Sequence, residues 1–149
     1  MNIRSIEFRD VEEILAIQAE CREIAQWCAQ DYEAAAQGEM CGWVCDNLGA
    51  LAGFLVARRV ACDLEILNFA VRPGERQKGI GSSLLRKAID WGEMFGAEQV
   101  FLEVRSSNAV ALDFYKARNF QKTGDRPRYY RNPTDSALLL SAPVSIFRW

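Results

Sequence analysis

Residues 76–92 read RQKGIGSSLLRKAIDWG. A polar, charged run gives way to two glycines one residue apart, and a helical pattern follows. Ile80, Leu84, Leu85, Ala88, Ile89 and Trp91 cover one wide face of that helix, and Gly96 stops it. Upstream, LEILNFAVR (64–72) reads as a strand ending at Pro73. The unit is therefore strand, short polar loop, Gly-x-Gly, helix. A helix N-terminus offers unpaired N–H groups and the positive end of a dipole. Glycines at that point either let a phosphate sit directly on the amides or simply permit a tight strand-to-helix turn. No Gly-Lys-Ser/Thr follows, which excludes a Walker A loop. Leu84 stands at the third glycine position of a dinucleotide-binding fingerprint, and no regular βαβ series follows.

Outward from this unit, IRSIEF (3–8) alternates as a first strand. Asp10 then caps a helix whose apolar side is Val11, Ile14, Leu15 and Ile17, with Glu13 at capping-box spacing. Residues 29–37 form a second helix that ends at Gly38. MCGWVCD and GALAGFLVARRV flank a turn at 47–49 and predict a hairpin. QVFLEV (99–104) is a strand, Asn108 caps the short helix AVALDFYKAR, and Asn119 ends it in a left-handed conformation. FQKTGDRPRYY and SALLLSAPVSIF are the last two strands. The order is strand, two helices, three strands, helix, strand, helix, two strands: a mixed α/β single domain over residues 1–149.

The bulk properties narrow the function. The chain has 149 residues, half of them hydrophobic, so one packed core is expected. With 18 Lys plus Arg against 20 Asp plus Glu, the net charge is -2, which argues against a bulk nucleic-acid binder. No signal peptide or membrane span is read, so no membrane partner is expected and a cytoplasmic protein is. Five cysteines match no zinc spacing, and Cys41 and Cys45 fall along one strand, so no metal is expected. The chain contains no His. Ser-His and Cys-His machinery is thereby removed, and any acid–base chemistry must use carboxylates, Tyr, Cys, Lys or water.

The pattern R-x-x-G-x-G from Arg76 to Gly81, after a strand ending in NFAVRP, resembles the acetyl-CoA motif of the GNAT superfamily of N-acetyltransferases. FLEVRSSNAVALDFYKARNF (101–120) resembles the next two motifs of that superfamily. LNFAV, LEVRSSN, FYKARNF and RPRYY are similar to its RimI-type branch, whose members acetylate the N-terminal alanine of a small-subunit ribosomal protein. The resemblance is strong over residues 64–140. It implies a central, mostly antiparallel sheet flanked by about four helices, and acetyl-CoA as co-substrate. A protein N-terminus, that of a ribosomal protein, would be the acceptor. Three departures stand out. Asn119 occupies a usual Gly position, NPTDSALLL (132–140) replaces a more acidic run, and the tail SAPVSIFRW (141–149) is hydrophobic enough to form an edge strand or contact a partner.

The resemblance also assigns roles. Amides of Gln77, Lys78, Gly79, Ile80, Gly81 and Ser82 would bind the pyrophosphate of CoA. The backbone of Phe69, Ala70 and Val71 would pair with the pantetheine arm as a strand does, and one of its N–H groups would bind the thioester carbonyl oxygen. Asn108 would contact CoA as well as cap its helix. Glu103 is the candidate general base, through a water. A carboxylate inside VFLEV, with Leu102 and Val104 on the opposite side, is otherwise explained by an ion pair with a neighbour such as Arg105. Tyr115 is the candidate general acid toward the thiolate, or else an aromatic packed on Phe114 or Phe120. Trp27, Tyr32, Tyr129 and Tyr130 would flank the acceptor or are otherwise edge-strand aromatics, while Arg58, Arg59, Arg86 and Lys87 read as solvated or helix-end charges. The alternatives are a relaxed peptide or small-amine acetyltransferase, and a non-catalytic acyl-CoA-binding domain.

Overall fold

The computed structural model describes residues 1–130 and 135–147. The strands are β1 (Asn2–Ser5), β2 (Cys41–Asn47), β3 (Ala50–Val60), β4 (Asp63–Val71), β5 (Gln99–Arg105), β6 (Gln121–Tyr130) and β7 (Asp135–Pro143). The helices are α1 (Val11–Glu20), α2 (Ala29–Ala36), α3 (Ile80–Met94) and α4 (Ala109–Ala117). The element order is the one the sequence pattern implies. All seven strands form one sheet in the order β1-β2-β3-β4-β5-β7-β6. Among the described residues only the β4–β5 pair is parallel, because α3 carries the chain back across the sheet between them. Among the described residues no helix is long and apolar enough to cross a membrane.

Each sheet face has its own core. Ile80, Leu84, Leu85, Ala88 and Ile89 of α3 pack with Leu64, Val100, Leu102 and Phe120 on one face. Ile14 and Ile17 of α1 and Tyr32 and Ala35 of α2 pack with Val44, Phe54 and Val56 on the other. β3 is buried on both faces from Leu51 to Ala57, which explains its unbroken apolar run. The 47–49 turn closes the β2–β3 hairpin with Leu48 and Gly49 both at positive φ (56° and 91°), as a two-residue hairpin of matching twist needs. Asn119 takes φ 65° and ends α4, so asparagine fills the usual glycine position.

Two expectations are corrected. Asp10 does not cap α1 with its side chain. A 3-10 turn at Phe8–Asp10 precedes the helix, which moves the capping box forward: Asp10 accepts from the Glu7 N–H (2.8 Å) and from both terminal nitrogens of Arg4 (2.8 and 2.9 Å). Burial works against that carboxylate, but these bonds outweigh it and hold its pKa below the ordinary range. Glu13 reaches instead to the Leu51 N–H of β3 at 2.6 Å. The hydrophobic tail is not an edge strand either. Ser141–Pro143 end β7, an interior strand between β5 and β6; Val144–Ile146 is a 3-10 turn, and Val144 and Phe147 are buried in the α3-side core. Arg148 and Trp149 of that tail, and residues 131–134 of the departing NPTDSALLL run, lie outside the described residues.

Gly53 of β3 lies opposite Val71, and a Cβ there would stand 2.7 Å from the Ala70 carbonyl oxygen and 3.2 Å from the Val71 Cα. Both are backbone atoms, which cannot swing aside. Gly53→Ala is therefore expected to destabilise the fold by about 1–3 kcal/mol, read as a lower urea midpoint at unchanged slope. An unchanged midpoint would mean that β4 is free to move away from β3.

Candidate active site

β4 changes direction at one residue. Its pairing with β3 runs Val56 to Asn68 and then Ala57 to Ile66, so Leu67 is an extra residue with no partner. Before the bulge, Leu64 and Ile66 face the α3 side; after it, Phe69 and Val71 do, while Leu67 and Ala70 pack toward α1 and α2. Pairing with β5 covers only residues 63–66, so the two strands part immediately after Ile66. The Arg72 N–H bonds to the Ala52 carbonyl on β3 (2.8 Å). By strand alternation Ala70 also points its backbone groups at β3, and Phe69 and Val71 point theirs into the gap. There, the Phe69 N–H is taken by Asn68 Oδ1 (3.1 Å) and the Val71 carbonyl by Arg76 Nε (3.1 Å). Among the described residues the Val71 N–H and the Phe69 carbonyl remain without a partner, one donor and one acceptor on an open strand edge.

Asn68 pins the bulge. It is buried, and its Nδ2 donates to the Ala25 carbonyl and to the Tyr32 hydroxyl, both at 3.0 Å. The Tyr32 hydroxyl donates to Gln18 Oε1, and Gln18 exchanges hydrogen bonds with the backbone of Trp27 at 2.9 and 3.0 Å. This network ties the loop between α1 and α2 to β4. It also corrects one expectation: Tyr32 has no exposed surface and lines no groove. It is a structural support beneath Trp27, with ring centroids 5.1 Å apart. Burial pushes its phenol well above the ordinary value, with nearby Asp31 adding to the shift.

A groove of about 560 Å³ runs along the open edge to the start of α3. Phe69, Ala70, Val71, Gln77, Gly79, Gly81, Ser82, Asn108 and Tyr115 line it, all of them residues singled out in the sequence. Among the described residues no backbone N–H from Gln77 to Ser82 donates a hydrogen bond to the protein; the first amide engaged is that of Ser83, to the Gly79 carbonyl. Gln77 and Gly79 both have positive φ (64° and 83°), which turns successive amides to one side. The two glycines serve different ends. Gly79 is required by its conformation, whereas Gly81 makes room for a neighbour, since a Cβ there would meet the Phe114 ring at 3.0 Å. Lys78 and Ile80 bring only backbone to the cradle. The Lys78 side chain is exposed and paired with Glu75 (3.0 Å), and that of Ile80 is buried in the core.

A second groove of about 880 Å³ lies on the other side of the gap, lined by Trp27, Glu103, Arg126, Tyr129 and Tyr130. The two grooves share Ile24, Phe69, Asn108, Ala111 and Tyr115, so they meet at those side chains. Glu103 points into the second groove, while Val100, Leu102 and Val104 are buried in the core, as strand alternation requires. Its ion-pair partner is Arg126 of β6, at 3.2 Å, and not Arg105, whose guanidinium stacks 4.1 Å above the Tyr130 ring. β6 is irregular between Arg126 and Tyr130, with Arg128 at φ 54°, and this break presents Tyr129 and Tyr130. Arg58, read as a solvated charge, lines the same groove and pairs with Glu65 at 2.7 Å.

Tyr115 sits at the junction, buried among the rings of Phe69, Phe114 and Phe120. Its hydroxyl makes no hydrogen bond among the described residues. Burial drives its pKa well up, against a smaller opposing effect of Arg118, so it is a phenol at every working pH. The packed ring is the aromatic reading of this residue, and the hydroxyl carries no hydrogen bond among the described residues. Asn108 caps α4 by accepting from the Ala111 N–H at 3.1 Å. Asp135 holds the turn before it, accepting from the Ser106 and Ser107 hydroxyls. Those two hydrogen bonds pull its carboxyl down to about 2. Sequence reasoning missed Asp135, Arg118, Arg126 and the Asn68 network. Asn68, a polar residue in an apolar strand, carried a signal, and Arg126 falls within the RPRYY motif.

The profile of the acetyltransferase (GNAT) family matches residues 8–120. The chain is 33% identical over 102 residues to a ribosomal protein bS18-alanine N-acetyltransferase of Escherichia coli, covering 66% of this chain and 68% of that protein. Its fold superposes on the crystal structure of a ribosomal-protein-S18-alanine N-acetyltransferase from Escherichia coli with a TM-score of 0.82 at 25% identity, over 96% of this chain and 93% of the other. It superposes on Ard1 from Thermoplasma volcanium with a TM-score of 0.86 at 25% identity, over 95% and 96% of the two chains.

Asn68→Ala would strand the Phe69 N–H, the Ala25 carbonyl and one bond of the Tyr32 hydroxyl. The expected cost is about 1–3 kcal/mol, with faster amide exchange in residues 21–28. Wild-type stability and exchange would show that the bulge holds itself.

Proposed function

Because the chain belongs to the acetyltransferase (GNAT) family, we propose that residues 1–149 form one acetyltransferase domain that moves an acetyl group from acetyl-CoA to the α-amino group of an N-terminal alanine, that of a small-subunit ribosomal protein. The observation that carries this reading is the junction of two grooves at Tyr115, with Glu103 in one and the amide cradle in the other. A domain that merely bound acyl-CoA would need only the first groove. The activity by which those relatives are named supports the choice of an N-terminal alanine.

Acetyl-CoA fits the first groove: free amides of Gln77 to Ser82 suit its diphosphate, and the open edge at Phe69 and Val71 suits the amide-bearing arm. Its contribution to the chemistry is an activated thioester carbonyl. Of the three strand residues considered for the carbonyl oxygen, Val71 is the donor we assign, since the Phe69 N–H is already bonded and that of Ala70 faces β3. Asn108 lines the groove beside it.

Glu103 takes the proton of the acceptor ammonium, directly or through a water, with Arg126 fixing the carboxylate's orientation. An α-amine of pKa about 7.7–8.0 demands far less of this base than a lysine near 10.4; the gap corresponds to about 3.4 kcal/mol at neutral pH. Tyr115 keeps its proton and donates a hydrogen bond to the departing sulfur, while the second proton, shed by the amine as the tetrahedral intermediate collapses, ends on the thiolate. The raised pKa of Tyr115 makes a hydrogen bond a smaller demand than complete transfer to a thiolate of ordinary pKa about 8.5. Trp27, Tyr129 and Tyr130 wall the acceptor path.

Incubation with acetyl-CoA and a peptide panel, read by mass spectrometry, is expected to give α-acetylation of peptides beginning with Ala, weak reaction with bulky first residues and almost none at internal lysines. Faster modification of a lysine in an N-terminally blocked peptide would refute the N-terminal assignment. Glu103→Gln is expected to lower kcat/KM about 100-fold near neutral pH, recovering in part as pH rises past the acceptor's pKa. Tyr115→Phe is expected to slow turnover with unchanged acetyl-CoA affinity. Wild-type rates across the pH range in either variant would remove that residue from the mechanism.

A further inference from the structure

Three cations surround the amide cradle at the start of α3, and two of them are committed elsewhere. Lys78 is paired with Glu75 at 3.0 Å and points to solvent. Arg76 turns back on the strand, its Nε on the Val71 carbonyl (3.1 Å) and its Nη2 on Cys21 Sγ (3.6 Å). The third is Arg118, the residue at the C-terminal cap of α4. Its side chain crosses to α3, where Nη2 donates to Ser82 Oγ and Nη1 to the Phe114 carbonyl (2.9 Å). The guanidinium lies flat over the Phe114 ring, 3.6 Å from its centroid, and that ring packs against Gly81.

Every acceptor that Arg118 has among the described residues is neutral. Glu75 and Asp113 also line the groove, but Glu75 is held by Lys78 and Asp113 forms no ion pair with Arg118. A half-buried guanidinium is thus stacked on a ring beside the unpaired amides, with no counter-anion among the described residues. Burial accordingly depresses its pKa, although Tyr115 acts in the opposite sense. A guanidinium fork suits a phosphate better than it suits a single hydroxyl, and stacking on an aromatic ring fixes it in advance.

We propose that Arg118 is a phosphate-binding residue of the donor groove: it leaves Ser82 Oγ, or shares it, to contact the diphosphate of acetyl-CoA seated on the amides of Ile80, Gly81 and Ser82. The inference rests on the acetyl-CoA reading of this groove. It assigns the charge in the cradle to a residue on α4, so donor binding also fastens α4, which carries Tyr115, onto the start of α3.

The test compares donors that differ in their phosphates. Calorimetry on Arg118→Met is expected to give about 10- to 100-fold weaker binding of acetyl-CoA and of acetyl-dephospho-CoA alike, with a shallower salt dependence for both. kcat/KM with S-acetyl-pantetheine, which has no phosphate, should stay within twofold of wild type. Arg118→Lys keeps the charge and should recover part of the affinity. An equal loss with S-acetyl-pantetheine would make Arg118 a mere tie between helices and overturn the proposal, as would an unchanged acetyl-CoA affinity. A loss confined to acetyl-CoA would move the contact to the 3′-phosphate and overturn the diphosphate assignment. If the wild-type protein bound no acetyl-CoA, the reading of the groove itself would fall, an outcome separate from all of these.

Discussion

The parallel pairing of β4 with β5 stops at Ile66, and the working parts of the molecule follow from that early end. One extra residue, Leu67, breaks the register with β3 and reverses which side chains face α3. Two strands that would otherwise share a hydrogen-bond ladder part, leaving the Val71 N–H and the Phe69 carbonyl without a partner among the described residues. Buried backbone polar groups are costly when unpaired, so such an edge survives only if something binds it or water reaches it. Here the edge forms the floor where two grooves meet. The buried Asn68–Tyr32–Gln18 network supplies the restraint, binding the bulge to the loop that carries Trp27. A polar cluster within one core thereby fixes the cleft opened beside it.

The absence of histidine shapes the chemistry of that gap. A carboxylate and a phenol stand in its place, and the structure gives them opposite surroundings. Glu103 lies in a groove rich in charge, with Arg126 as its partner. Tyr115 lies among aromatic rings that favour its neutral form. On the proposed mechanism, groups separated in this way would divide the work of accepting and donating a proton. An acceptor with a modest pKa suits a carboxylate held by an arginine, which is the physical reason for proposing an N-terminal amine as acceptor.

Much of this was legible in the sequence where the signal is local. The Gly-x-Gly turn, the Asn108 cap, the left-handed Asn119 and the alternation around Glu103 depend on a few neighbouring residues, and the structure has them as expected. What was not legible depends on contacts distant in the chain. Tyr32 looks like an acceptor-site aromatic until Asn68, 36 residues on, claims its hydroxyl. Glu103 could have paired with Arg105 two residues away, but strand geometry gives it to Arg126 on another strand. Asp10 and Glu13 have capping-box spacing, yet Arg4 and Leu51 compete for them and win. Gly81 reads as a phosphate glycine, whereas its tight neighbour is Phe114. In each case the residue type carried the right chemistry and tertiary packing chose the partner.

The central claim is that the open edge of β4 and the amides at the start of α3 together form the donor site. Hydrogen exchange resolved to single amides, with and without acetyl-CoA, tests it most directly. The account predicts that acetyl-CoA slows exchange at Val71 and across Gln77 to Ser82, while the Phe69 amide, already bonded to Asn68, changes little. Protection absent from Val71 and from the α3 start, or concentrated instead in the groove of Trp27 and Tyr130, would contradict it.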